Sequence, residues 1–152
     1  MNRSLRLSGW LLGAALTTLA GCGALPSGRN GASLSAEQHR LAELFKGTPV
    51  MFELQADGSL RSTVPLKFAF DPGHAAVKPP LAAVLDRLAL SQREQRSRFS
   101  VSAPADGARN GQLGQERAAS ARDYLVAKGV AVGRFASVAG SKRDNVEVVI
   151  AP

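Results

Sequence analysis

Cys22 is the residue best equipped for covalent chemistry in this chain. It is the only cysteine among 152 residues, and a thiolate is a strong nucleophile. With no second cysteine, no disulfide can close within one chain. The residues leading to it are Leu19-Ala20-Gly21. Small side chains there let an extended backbone enter a peptidase and leave the sulfur open to acylation. Other chemistry has little to use. His39 and His74 are the only histidines. Neither has a cysteine close in sequence, a His-x-x-x-His partner or an acid at metal-ligand spacing. No Gly-x-Ser-x-Gly elbow is present. The sequence predicts no metal, no cofactor and no enzyme active site.

What precedes Cys22 suits the same chemistry. Arg3 and Arg6 are followed by a mostly apolar run from Leu7 to Ala20. That run is too short to span a bilayer, which takes ~20 apolar residues. It has the length of a signal-peptide core. The run with Leu19-Ala20-Gly21-Cys22 resembles the signal and lipobox of bacterial lipoproteins. The resemblance implies a signal peptide over 1–21 and a diacylglyceryl group on Cys22. Several acyl chains, with each buried methylene worth ~0.8 kcal/mol, make a stable anchor where one chain would not. Gly23, in place of an aspartate, implies sorting to the outer membrane, facing the periplasm.

Losing Arg3 and Arg6 takes the formal charge from +7 to +5. A basic exported chain suits anionic envelope partners. The basic residues are interspersed with acids and form no run that tracks a phosphate backbone, so nucleic acid is not an expected partner. Most of them read as a solvated surface.

Residues 22–33, rich in Gly, Ser and Pro, read as a tether. A short helix should follow, with Ser35 as N-cap and Gln38 closing a capping box. Leu41, Leu44 and Phe45 make its apolar stripe. Val50, Phe52 and Leu54 alternate, and Asp57-Gly58 marks a turn into a second extended run from Leu60. Residues 34–64 thus read as a helix-hairpin extension. Leu66, Phe68 and Phe70 alternate as a strand ending at Asp71-Pro72-Gly73, where Asp71 should cap the turn. Pro79 and Pro80 open a helix carrying Leu81, Val84, Leu85 and Leu88. Phe99, Val101 and Ala103 form a strand, and residues 104–111 a loop. A helix then bears Leu113, Ala118, Ala121 and Leu125, with Gly129 at its end. Strands over 135–139 and through Val146, Val148 and Ile150 close the chain. This order predicts an α+β two-layer domain, with a small mixed sheet and two helices on one face.

The runs Leu66-Lys67-Phe68-Ala69-Phe70-Asp71 and Val77-Lys78-Pro79 resemble the opening of OmpA-like peptidoglycan-binding domains. Asn110 to Leu125 is similar to that family's Asn-x-x-Leu-Ser-x-x-Arg-Ala helix, and Gly129-Val130 to its ending. Asn145-Val146-Glu147-Val148 resembles its last strand. The resemblance covers 65–152 and implies a βαβαββ fold. The chain departs from the family where Gly-His-Thr-Asp is usual, reading Ala103-Pro104-Ala105-Asp106. Its loop from Asp106 to Arg117 is also short, and Asp144-Asn145 follows Arg143 where paired arginines are common.

The resemblance implies a ligand, the diaminopimelate end of a peptidoglycan stem peptide. Asp106 would take its ammonium, and the Arg117 fork would grip a carboxylate. Asn110 and Leu113 fall at family positions near the ligand, with Asn110 shaping the loop. Arg143 would add a second carboxylate contact. The implied function is a lipid-anchored link between outer membrane and cell wall. The alternative is an assembly lipoprotein of an envelope machine, such as a secretion system or pilus, which keeps the fold without the ligand.

Overall fold

The computed structural model describes residues 29–107 and 111–152. Five strands form one sheet: β1 (Met51–Leu54), β2 (Leu60–Pro65), β3 (Arg98–Pro104), β4 (Phe135–Ser141) and β5 (Asn145–Ala151). Their spatial order is β1-β2-β5-β3-β4. The β3–β4 pair is parallel and the other pairs are antiparallel. Period-two alternation turns Phe99, Val101, Ala103, Val146, Val148 and Ile150 to the core, all buried. Phe52, Ser62, Val148 and Val101 lie opposite one another across four strands. The sheet is therefore one continuous apolar floor, backed by helices on one face as the α+β reading expects.

The helices are α1 (Arg29–Leu44), α2 (Leu66–Ala69), α3 (Pro79–Gln92) and α4 (Gly111–Ala127). Leu81, Val84, Leu85 and Leu88 of α3 are buried, as are Leu113, Ala118, Ala121 and Leu125 of α4. α4 ends in two reciprocal bonds: the Gly129 N–H donates to Val126 O and the Val130 N–H to Leu125 O. That pair is the Schellman ending, and buried Val130 seals it against the core.

Several expected elements differ. The helix expected from Ser35 begins at Arg29, so it takes in the last part of the expected 22–33 tether. Ser35 is interior to it. The Gln38 side chain donates to Phe52 O at 2.9 Å, which ties the helix to β1 in place of closing a capping box. The hairpin turn forms as read, with the Asp57 carboxylate accepting from both the N–H and the hydroxyl of Ser59. Its second strand, however, pairs with β5 and sits inside the main sheet, so β2 reaches across the expected boundary at residue 65. The hairpin is thus part of the sheet.

The strand expected at Leu66–Phe70 is the clearest correction. Leu66–Ala69 is a single helical turn, and the strand lies earlier, at Leu60–Pro65. Leu66, Ala69 and Phe70 sit at i, i+3 and i+4, so the same apolar letters satisfy a helical period. Pro65 ends the ladder, and the Leu66 N–H leaves the sheet to donate to Asp144 O at 3.2 Å.

α1 and α3 are antiparallel neighbours. Leu44 and Phe45 share a hollow with Ala83 and Asp86 of α3, whereas Glu37 and Arg40 share the next one with Ser91. No described helix is long and apolar enough to cross a membrane.

Candidate functional site

The C-terminal ends of β2, β3 and β4 and the start of β5 lie at one end of the sheet, since Pro65 pairs with Asn145 and Pro104 with Ser141. The segment after α2, the loop after β3 and the start of α4 meet there. Close approach fixes α4. A Cβ at Gly114 would lie 2.8 Å from Ala103 O and 3.2 Å from Ala105 N, so only glycine lets this turn of the helix rest on β3. Gln115 beside it donates to Val138 O at 3.0 Å and accepts from the Gly140 N–H at 3.1 Å. Arg117, one turn along, is aimed into the sheet end and is fully buried.

A buried guanidinium needs partners for its five donors, because unpaired burial of charge is costly. Arg117 finds four. Nε donates to His74 O at 2.9 Å, Nη1 to Pro104 O at 3.0 Å, and Nη2 to Asp71 O at 3.0 Å. Nη1 also meets the Asp106 carboxylate at 2.7 Å. Phe70 lies beneath, with the guanidinium carbon 5.4 Å from its ring centroid. Two segments distant in sequence, 70–74 and 104–106, are thus fastened to one cation on α4.

Asp106 is the charged partner of Arg117 and is reached by solvent, with its side chain 32 % exposed. It accepts from Arg117 and, at its other oxygen, from the Gly73 N–H. The Arg117 hydrogen bond, followed by the Gly73 N–H, holds its carboxyl below the ordinary value. Gly73 can present its N–H because the Asp71-Pro72-Gly73-His74 turn is tight. The His74 N–H donates to Asp71 O, and Gly73 has φ +73°, as a type II turn with proline at its second position requires.

The structure brings Asp106 and Arg117 together. Leu113 is buried on α4 one turn before Arg117. Arg143 stands on the β4–β5 turn at the same sheet end, exposed, and pairs with Glu147 of β5. Asn110 and Cys22 lie outside the described residues. Asp71 does not cap its turn with its side chain. The carboxylate pairs with Lys78 at 2.8 Å, and its main-chain carbonyl closes the turn. Five contributors escaped the sequence reading: the carbonyls of Asp71, His74 and Pro104, the Gly73 N–H, and the Phe70 ring. The Pro-Gly pair was the one visible signal for them. Among the described residues, no group of three or more His, Cys, Asp or Glu could hold a metal.

At the opposite end of the sheet a second arginine does related work. Arg134 donates to Gln92 O at 2.7 Å, Ser97 O at 2.8 Å and Ser97 Oγ at 2.9 Å, and lies over Phe99. Buried Ser97 in turn donates to Gln92 Oε1 at 2.7 Å. No carboxylate takes part.

Neither a protein-family model nor a curated protein matches the sequence. Solved structures do resemble the fold. A MotB-like protein from Desulfovibrio vulgaris aligns with a TM-score of 0.64 at 15% identity, over 80% of this chain and 93% of its own. The cell wall anchor of the T6SS from Pseudomonas aeruginosa aligns at 0.58 and 19%, over 81% and 96%. The OmpA-like domain of FopA1 from Francisella tularensis aligns at 0.52 and 15%, over 68% and 80%. The described domain therefore has the OmpA-like fold, in a divergent sequence.

Proposed function

We propose that this chain is a non-enzymatic, cell-wall-binding lipoprotein of the outer membrane. A signal peptide over 1–21 is removed, Cys22 is acylated, and the domain faces the periplasm. Its ligand is the diaminopimelate end of a peptidoglycan stem peptide. The observation carrying this reading is the Asp106–Arg117 pair: a part-exposed carboxylate fixed on a fully buried arginine at the end of an OmpA-like sheet. The fold likeness to a protein described as a cell wall anchor supports it.

The geometry favours different tasks for the two residues. Four of the five Arg117 donors are already engaged, so Arg117 chiefly positions Asp106 and the Gly73 turn. Asp106, with oxygen surface open to solvent, receives the ligand ammonium. The ligand carboxylate takes the exposed cation Arg143, once Arg143 leaves Glu147. Asn110 would shape the loop between them.

Sedimentation with purified sacculi tests this. Asp106→Asn should abolish binding while the protein stays folded. Binding by Asp106→Asn equal to the parent would sink the site.

One observation favours a second reading, a subunit of an envelope protein complex. Leu44 and Leu90 are 54% and 57% exposed beside the α1–α3 hollow, a surface suited to a protein contact. In that case the Asp106 substitution leaves function intact, and stoichiometric proteins cross-link to Leu90.

A further inference from the structure

The end of the domain opposite Asp106 is the end the chain enters. α1 runs antiparallel to α3, so its first residue, Arg29, lies toward the C-terminus of α3. Cys22 is seven positions earlier, a span of at most about 25 Å. The turn between α3 and β3 at this end carries Arg93, Arg96 and Arg98, all exposed. Among the described residues none of the three side chains has a hydrogen bond or ion pair. The acids nearby are Glu94, on the same turn, and Asp57, whose carboxylate is engaged by Ser59. Val132, 66% exposed, stands on the adjoining loop, which Arg134 ties to Ser97 of the arginine turn. The Asp106 end is different. There Lys78 and Arg143 pair with Asp71 and Glu147, and the exposed cations Lys67 and Lys142 share the surface with Asp106 and Asp144.

We propose that this entry end is a membrane-facing surface whose three arginines rest on anionic phospholipid headgroups, turning Asp106 away from the bilayer. The proposal rests on Cys22 being the lipid anchor. The anchor confines the domain to within a short tether of the bilayer. A run of three exposed, unpaired arginines lies on the side the tether leaves from, with an apolar residue beside it. Anionic lipid complements that arginine cluster, which has the single acid Glu94 on its own turn, better than the far end, where Asp71, Asp106, Asp144 and Glu147 are interleaved with the cations. The domain is thereby oriented with its ligand end toward the wall.

The test uses the processed chain from Cys22 onward, with a fluorophore on Gln95→Cys or Asp144→Cys. Vesicles of phosphatidylcholine, with or without phosphatidylglycerol, carry a headgroup quencher. Phosphatidylglycerol should deepen quenching at position 95 and leave position 144 unchanged. The triple variant Arg93→Gln/Arg96→Gln/Arg98→Gln should lose that effect. The charge-matched triple variant Lys67→Gln/Lys142→Gln/Arg143→Gln should keep it. Each arginine near an anionic surface contributes about fivefold in partitioning, so the three together contribute about a hundredfold. Equal quenching at both ends, or equal losses in both triple variants, overturns the proposal. So does a matching loss of sacculus binding in the arginine variant, which would assign these residues to wall polymers. The anchor reading fails by a separate sign, a free thiol at Cys22 in the mass spectrum. Sedimentation with phosphatidylglycerol vesicles, which needs no acyl chain, still decides the surface in that event.

Discussion

Arg117 and Arg134 sit at opposite ends of the same sheet, and both fasten loops by donating to main-chain carbonyls over a phenylalanine ring. They differ in one partner. Arg117 has Asp106 and Arg134 has no acid. Burial alone acts on Arg134, lowering its affinity for its proton, though a guanidinium stays charged throughout the working range. An arginine that only staples needs nothing more than carbonyls. A carboxylate added to a cation already well satisfied, and left part-open to solvent, is surplus to the staple. That part-open carboxylate is the feature on which the proposed ligand site rests.

The comparison is open to test from both ends. The largest effect should come from Arg117→Met, which orphans the carbonyls of Asp71, His74 and Pro104 and frees Asp106. We expect a loss of about 3–5 kcal/mol, seen as a lower urea midpoint. Gly114→Ala comes next, at about 2–3 kcal/mol, because the new methyl meets the main-chain oxygen of Ala103, which cannot swing aside. Arg134→Met should cost about 1–2 kcal/mol, since part of its surface is solvated and water can replace it. A cost at Arg134 as large as at Arg117 would erase the distinction between the two ends.

The smallest effect in neutral buffer is the most specific. Asp106→Asn should cost about 1 kcal/mol, discounted for exposure. The carboxyl value is lowered in the folded chain relative to the ordinary 3.8. Its stabilising contribution is therefore complete above that value and is lost as pH falls through the lower folded one. The stability gap between parent and Asp106→Asn should close below about pH 3.8, while the gap between parent and Arg134→Met stays constant. A gap at Asp106 that does not begin to narrow once the pH is below 3.8 would mean the carboxylate charge contributes nothing there.

Much of this was legible in the sequence, for identifiable reasons. α3, β3, α4 and β5 have long, clean periodicity and firm punctuation, Pro79 and Pro80 at one helix start and Gly129 at another helix end. Leu66 to Phe70 did not, because five residues with apolar letters at 1, 3, 4 and 5 fit a strand and a helical turn equally. Asp106 and Arg117 were paired through the family resemblance, and the structure places them in contact. The Arg117 carbonyl partners were invisible, since any residue type supplies a carbonyl. Gly114 was hidden as well: its reason is the absence of a side chain against another strand, and spacing along one helix carries no trace of that.

The Gln115 amide has a consequence for life at high concentration. Among the described residues β4 ends the sheet, with β3 as its neighbour on one side and no strand on the other. Its sequence, Phe135-Ala-Ser-Val-Ala-Gly-Ser141, has no charge and no proline, the usual deterrents at an open margin. Gln115 binds Val138 O and the Gly140 N–H, two groups that one residue of an adjoining parallel strand would bind. A side chain thus occupies the place of a sixth strand. With Gln115→Ala those groups become free to recruit a strand from another molecule, and light scattering should rise with protein concentration. The amide is a stopper on polymerisation, built from the same helix that carries Arg117.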